Sequence, residues 1–358
     1  MGEVLGIGLT HYPGLRYPDS QMVNILRQLM ERPEATPEMR GVRNWPPPMR
    51  QEWGDDEGLS AATAHRQRLV DALRKIRAEI DGFRPDFILI WGDDQNENFK
   101  DDIIPPFCVL LYDRVECRPF ARGSAITRGT ALVNAVPNVW SEAVDKTFAV
   151  TCHREAGTFL VEGLMDAGFD VSYAYKPLHD PELTHAFMNT LLYLDYDRTG
   201  FDYPVLPFHV NCYGRDVLRP RVRFGRAATA PEIVPPPPPG PSPRRCFELG
   251  QAVRKVLEAS PWRVVLIGSS SWSHAFLRKD GFWLYPDLET DRRRYEELRA
   301  GQHTRWRDLS SDEVERAGAH EFRNWICLAG AMWDRRAEIL DYVETYVLNS
   351  NKCLAVFR

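Results

Sequence analysis

Short, wholly apolar runs alternate along this chain with longer stretches in which apolar residues recur every three or four positions. The first run covers roughly residues 4–10 and the second Phe87–Trp91. Others follow at Asp170–Tyr175, at 204–210 (PVLPFHV) and at 263–268 (RVVLI and the glycine after it). Runs of this kind predict strands covered on both faces, as in α/β sheets. Between them, segment 60–82 sets Leu69, Ala72, Leu73, Ile76 and Ile80 at helical spacing. Segments 158–167 and 244–259 also read as helices, and helical segments at 288–300, 311–317 and 319–347 are expected to finish the chain. The alternation predicts a single α/β domain over residues 1–358 with elaborated loops.

Two stretches interrupt the pattern. Residues 17–58, rich in Pro, Arg and Met and containing Trp45-Pro46-Pro47-Pro48, read as a short helix and then a long loop. A Pro-rich insert at about 215–243 ends in VPPPPPGPSP, expected to form an extended surface loop.

Composition narrows the function classes. The chain has 358 residues, 44% hydrophobic and 27% charged, with a formal net charge of −5, so no basic surface for nucleic acid is expected. The Arg292-Arg293-Arg294 cluster is flanked by acids and reads as a solvated helix face. No apolar run approaches the ~18 residues of a membrane span. Seven cysteines are scattered singly without a CxxC pair, which fits a reduced, cytoplasmic protein better than a disulfide or zinc-ribbon framework.

The chemistry-bearing residues share one kind of address. His11, in GIGLTHYPGL, ends the first strand, and His274 follows the Gly/Ser turn after RVVLIGSSSWSH. His209 lies in the strand entering Asn211, and the loop after Trp91 carries Asp93, Asp94, Gln95 and Glu97. Ligands of open α/β sheets gather at the carboxyl ends of the strands, so these side chains are expected to converge. Two imidazoles and a carboxylate hold Fe(II) on one face and leave positions open. A further imidazole moves protons near neutral pH. The residues alone therefore predict a metal-dependent α/β enzyme.

The motifs GLTHYP, RPDFILIWGDDQNENF, DVSYAYKPLHDPELTHAF, PVLPFHVNCYG, SPRRCFELGQAV, RVVLIGSSSWSHAF, LYPDLETDRR and GAHEFRNWICLAGAM occur in that order. In that order they resemble the class III extradiol ring-cleavage dioxygenases, the group of the protocatechuate 4,5-dioxygenase β subunit. The resemblance implies a single large α/β domain with a central mixed sheet flanked by helices, mononuclear non-haem Fe(II), and a homodimer or paired subunit. It implies His11 and Glu321 as metal ligands, with Glu289 the weaker competitor for the carboxylate. It implies His274 as the proton-transfer residue and His185 as a second active-site histidine, with His179 its near neighbour. The implied reaction opens the ring of a catechol or an ortho-aminophenol with O₂. Tyr12, Tyr213 and His209 are placed along the substrate pocket, His209 equally readable as a core histidine. His65, His153, His303 and His320 are read as structural.

One position departs from the family pattern. Its second ligand histidine lies four residues before a phenylalanine, and counting back from Phe99 puts Gln95 there. Three readings stay open. Gln95 ligates with help from Asp94 or Glu97; another histidine such as His65 or His209 substitutes; or iron chemistry is lost. The last would leave a redox-neutral Zn²⁺ (or other divalent-metal) hydrolase or lyase on the same scaffold, or a non-catalytic partner subunit. A peptide-binding role for VPPPPPG is the weakest alternative.

Overall fold

The computed structural model describes residues 2–33, 35–121, 137–214, 238–278 and 284–358. Its strands are β1 (Glu3–Leu9), β2 (Phe87–Gly92), β3 (Phe107–Leu110), β4 (Arg114–Cys117) and β5 (Phe148–Thr151). They continue with β6 (Ser172–Ala174), β7 (Val205–Val210), β8 (Arg263–Ser269), β9 (Ala337–Val343) and β10 (Lys352–Phe357). The helices are α1 (Asp19–Met22), α2 (Asn24–Glu31), α3 (Pro37–Arg40), α4 (Pro47–Trp53), α5 (Leu59–Phe83) and α6 (Arg154–Asp166). After them come α7 (His185–Leu194), α8 (Pro243–Glu258), α9 (Leu288–Arg299), α10 (Ser311–Arg316) and α11 (Phe322–Ala331).

Eight strands form one mixed sheet in the order β6-β3-β7-β2-β8-β1-β10-β9, while β4 and β5 form a separate antiparallel ribbon. The four central strands β7, β2, β8 and β1 run parallel. Each is buried along almost its whole length, which is why each reads as a continuous apolar run. Leu9 pairs with Ser269, Trp91 with Gly268 and Gly92 with His209, so these strands end level with one another. The residues that follow, from His11, Asp93, Ser270 and Asn211 onward, leave the sheet along one edge.

Side chains alternate across a strand, so neighbours in register share a face. Gly8, Gly268 and Trp91 are in register on one face, and α11 lies there. Gly92 therefore faces the other way, where α7 packs with Phe187 over it. The edge is thus flanked by α7 on one side and α11 on the other.

The approach of α11 depends on glycine. A Cβ on Gly8 would sit 2.1 Å from Trp325 of α11, and one on Gly268 would sit 2.9 Å from the Asn324 carbonyl. Helix α8 meets α11 as closely: a Gly250 Cβ would fall 1.9 Å from the Cys327 carbonyl oxygen.

Two expectations are corrected. Segment 319–347 is not one helix: it is helical only through Ala331, and Ala337–Val343 is a strand pairing with β10. That pairing was invisible locally, because AEILDYV lies at the sheet edge and is mostly half-buried, blurring its alternation. Residues 17–58 hold four short helices rather than one helix and a loop. Prolines open α3 and α4, Thr36 caps α3 by its side chain, and Gly41 and Gly54 stand at the ends where the two helices stop. The Pro-rich insert lies, through residue 237, outside the described residues. Among the described residues no helix is long and apolar enough to cross a membrane.

Gly8→Ala should destabilise the protein by about 1–3 kcal/mol, the usual cost of overpacking a close-packed interior. Urea unfolding of parent and variant checks this; an unchanged midpoint would mean that α11 is not held by this contact.

Candidate metal centre

Histidine 11 leaves β1 buried, and its ring is oriented by the neighbouring strand. Nδ1 lies 3.1 Å from both the carbonyl oxygen and the hydroxyl of Ser269, at the end of β8. A proton on Nδ1 satisfies the carbonyl and leaves the Nε2 lone pair facing the sheet edge. Asn189 of α7 fixes the backbone by donating to the His11 carbonyl (3.1 Å). Around Nε2 stand two carboxylates, Glu321 Oε2 at 3.3 Å and Asp93 Oδ1 at 3.7 Å.

Glu321 immediately precedes α11 and is fully buried. Its backbone carbonyl accepts from Ser270 Oγ (2.9 Å), and the Trp325 indole N–H donates to the Ser270 carbonyl (3.1 Å), tying the helix start to the end of β8. Its Oε1 accepts from the Tyr213 hydroxyl and from Gln95 Nε2 (3.1 Å). Its Oε2 has no hydrogen-bond partner, nor has Asp93 Oδ2. An unpartnered buried carboxylate oxygen costs several kcal/mol, and one on each of two carboxylates beside the same imidazole fits a bound cation.

The loop after β2 is shaped by Asp94, whose carboxylate accepts from the backbone N–H groups of Glu97, Asn98 and Phe99. That turn places Glu97 against α7, where its Oε2 lies 2.6 Å from Nδ1 of His185. The His185 and His11 rings meet edge to face with centroids 5.1 Å apart. One donor atom each from His11, Asp93 and His185 lie within 4.8 Å of one another. His274 enters from the other side. Its Nδ1 lies 3.0 Å from the Trp272 carbonyl, and its Nε2 lies 3.5 Å from Glu321 Oε2.

Electrostatics separates the roles of these groups. Burial, reinforced by Glu321, pushes Asp93 well above the ordinary carboxylate range. Burial acts the same way on Glu321, yet His274, His11 and the Tyr213 hydroxyl outweigh it and hold that carboxyl low. Burial favours a neutral His185, but Glu97 overrides it and raises the ring to about 9. At His274 burial prevails over Glu321, so its pKa is lowered and the ring is neutral.

His11, Glu321, His274 and His185 thus come together as the sequence led one to expect, and Gln95 stands beside them. Three expectations fare differently. Tyr12 donates its hydroxyl to the Met22 carbonyl (2.8 Å) and packs under the Lys352 ammonium, so its polar end is not offered to a ligand. His209 is buried and lies against Phe99 with centroids 4.7 Å apart, the arrangement of a core histidine. His65 bonds Glu52 (2.7 Å), so neither His65 nor His209 takes the place of the missing ligand. Exposed His179 pairs with Asp102 and is separate from buried His185. Asp93 was seen only as one acid of a loop. Its place in the centre follows from the β2–β8 register, which no local pattern carries.

Comparison with known proteins agrees with this geometry. Residues 237–353, which contain His274, Glu321 and α11, match the family described as the catalytic LigB subunit of aromatic ring-opening dioxygenase. Over that stretch, about a third of the chain, the sequence is similar to this ring-opening dioxygenase family. Among its relatives is a 2,3-dihydroxyphenylpropionate/2,3-dihydroxicinnamic acid 1,2-dioxygenase of Comamonas testosteroni, 29% identical over 218 residues. That match covers 61% of this chain and 52% of the relative. A Pseudomonas putida enzyme of the same name is 25% identical over 207 residues, 58% of this chain and 49% of that one. The chain thus spans about half the length of the relatives it matches. A solved structure titled uncharacterized protein JW3007 from Escherichia coli K12 aligns with a TM-score of 0.45 at 10% identity, over 81% of this chain and 91% of that one.

Burial pushes the pKa of His209 down to about 3. The unfolded ring titrates near 6.5, so between those values the unfolded chain binds the extra proton and stability falls as pH falls. Replacing the ring by His209→Phe should remove about 1.4 kcal/mol of that loss per pH unit. Urea unfolding at pH 7 and pH 5 compares the two proteins; equal losses would show that His209 is not held neutral.

Proposed function

We propose that this chain is a non-haem Fe(II)-dependent extradiol-type dioxygenase acting on a catechol or an ortho-aminophenol. The observation that carries this reading is the buried convergence of His11, His185, Asp93 and Glu321, with an unpartnered oxygen on each carboxylate and a neutral histidine, His274, beside them. The family match over residues 237–353 and the names of the relatives support it. They do not favour a redox-neutral hydrolase or lyase.

His11, Glu321 and their neighbours would hold the metal; Fe(II) supplies electron transfer between an aromatic diol and O₂ when bound. The remaining work falls to the chain. His274 has its Nδ1 at the Trp272 carbonyl, which leaves Nε2 to accept a proton from a ring hydroxyl and return it later. Burial keeps that ring neutral, so it is ready as a base. Tyr213 and Gln95 hold one Glu321 oxygen and so direct the other at the centre. Tyr213 is therefore read as a support of the site rather than a substrate contact. The fully buried residues around the cluster keep water from the reacting atoms. The family resemblance adds a homodimer or paired subunit in the cytoplasm to this reading.

Anaerobically reconstituted protein given a simple catechol should consume one O₂ for each ring opened, followed with an oxygen electrode and by absorbance of the yellow ring-opened product. His274→Gln should lower kcat by about 10²–10⁴, the range for losing a general acid–base. Full activity in that variant would remove His274 from the mechanism. No O₂ uptake by the parent with any catechol or aminophenol would overturn the activity.

A further inference from the structure

The family pattern puts its second imidazole at position 95, where this chain has glutamine. We propose that the missing nitrogen is supplied instead by His185 from α7, so that the cation is held by His11, His185 and Asp93, with Glu321 as a further oxygen donor. This rests on the metal-centre reading above and specifies it.

Four observations carry the assignment. First, one donor atom from each of His11, Asp93 and His185 falls within a single 4.8 Å cluster, the spacing of ligands around one ion. Second, both imidazoles are already oriented. Nδ1 of His11 is engaged by Ser269 and Nδ1 of His185 by Glu97 at 2.6 Å, so Nε2 of each ring is the nitrogen to give, His185 releasing its second proton as the cation binds. A carboxylate on the remote nitrogen is the usual device for fixing a metal-binding histidine. Third, Asp93 and Glu321 each keep an unpartnered oxygen although both are fully buried. Fourth, the Gln95 amide nitrogen is spent on the Tyr213 hydroxyl (2.6 Å) and Glu321 Oε1 (3.1 Å). The second bond assigns Gln95 to holding Glu321, as a positioning residue.

The exchange restores the chemistry of the donor set. Two imidazoles and a carboxylate on one face suit Fe(II), whereas one imidazole and a glutamine amide would not. The helix that brings His185 is pressed onto the sheet by Phe187 against Gly92, next to Asp93 in the chain. Two of the donors are therefore placed by one packing contact.

The test uses Co(II) alone as the probe, titrated anaerobically into the full chain, with cobalt-edge X-ray absorption to count imidazoles. The parent should bind one ion through two imidazoles. His185→Ala should weaken binding by more than about 100-fold and remove one imidazole. Gln95→Ala should cost no more than about tenfold and leave both, as expected of a residue behind the ligands. Thermal unfolding of the metal-free variants shows whether they fold. Should His185→Ala not fold, Glu97→Gln takes its place with an expected loss of about 10–100-fold. If Gln95→Ala loses the ion or an imidazole while the His185 or Glu97 variant keeps parental affinity and count, the assignment is overturned and Gln95 is the ligand. If the parent takes up no Co(II), the metal-centre reading itself fails, an outcome distinct from a parent that binds through Gln95.

Discussion

Everything around the sheet edge answers one electrostatic constraint: two carboxylates, Asp93 and Glu321, are buried within a few ångströms of the same imidazole nitrogen. Carboxylates taken out of water and facing each other are costly unless something positive stands between them. The chain meets part of that cost itself, with Tyr213, Gln95 and Asn324 donating to them. It leaves one oxygen of each unmet. A divalent cation resolves the constraint, and the close contact of α11 with Gly8 and Gly268 is what brings the second carboxylate near enough to impose it.

The roles of the histidines follow from which nitrogen each has engaged. His11, His185 and His274 all have Nδ1 occupied, by Ser269, Glu97 and the Trp272 carbonyl respectively. His11 and His274 turn Nε2 toward Glu321 Oε2, and of the three only His185 is backed by a carboxylate. His11 Nε2 faces both Asp93 and Glu321, whereas His274 Nε2 faces Glu321. His209, packed against Phe99, stands apart from this cluster.

The legible part of the fold was the part whose signal is local. Buried parallel strands are apolar throughout, so β1, β2, β7 and β8 stood out, and α5 and α8 showed their helical spacing. His11 and His274 were found because strand ends mark the edge of such a sheet. What depends on pairing at a distance was missed. Strand β9 is half-exposed and earns its conformation from β10. Asp93 faces His11 only because β8 lies between β2 and β1. The His185–Glu97 pair joins residues 88 positions apart, and nothing near either one announces the other. Tyr12, adjacent to His11, was expected at the pocket. A neighbour in sequence past a strand end turns elsewhere, in this case to Met22.

The central claim is that this buried cluster is a mononuclear metal centre. Its most direct test is an anomalous difference map at the iron edge, from crystals grown and soaked with Fe(II) under anaerobic conditions. The account predicts one peak per chain within bonding distance of His11 Nε2, between α7 and α11. A map without a peak there, or with iron only at surface acids, would contradict it.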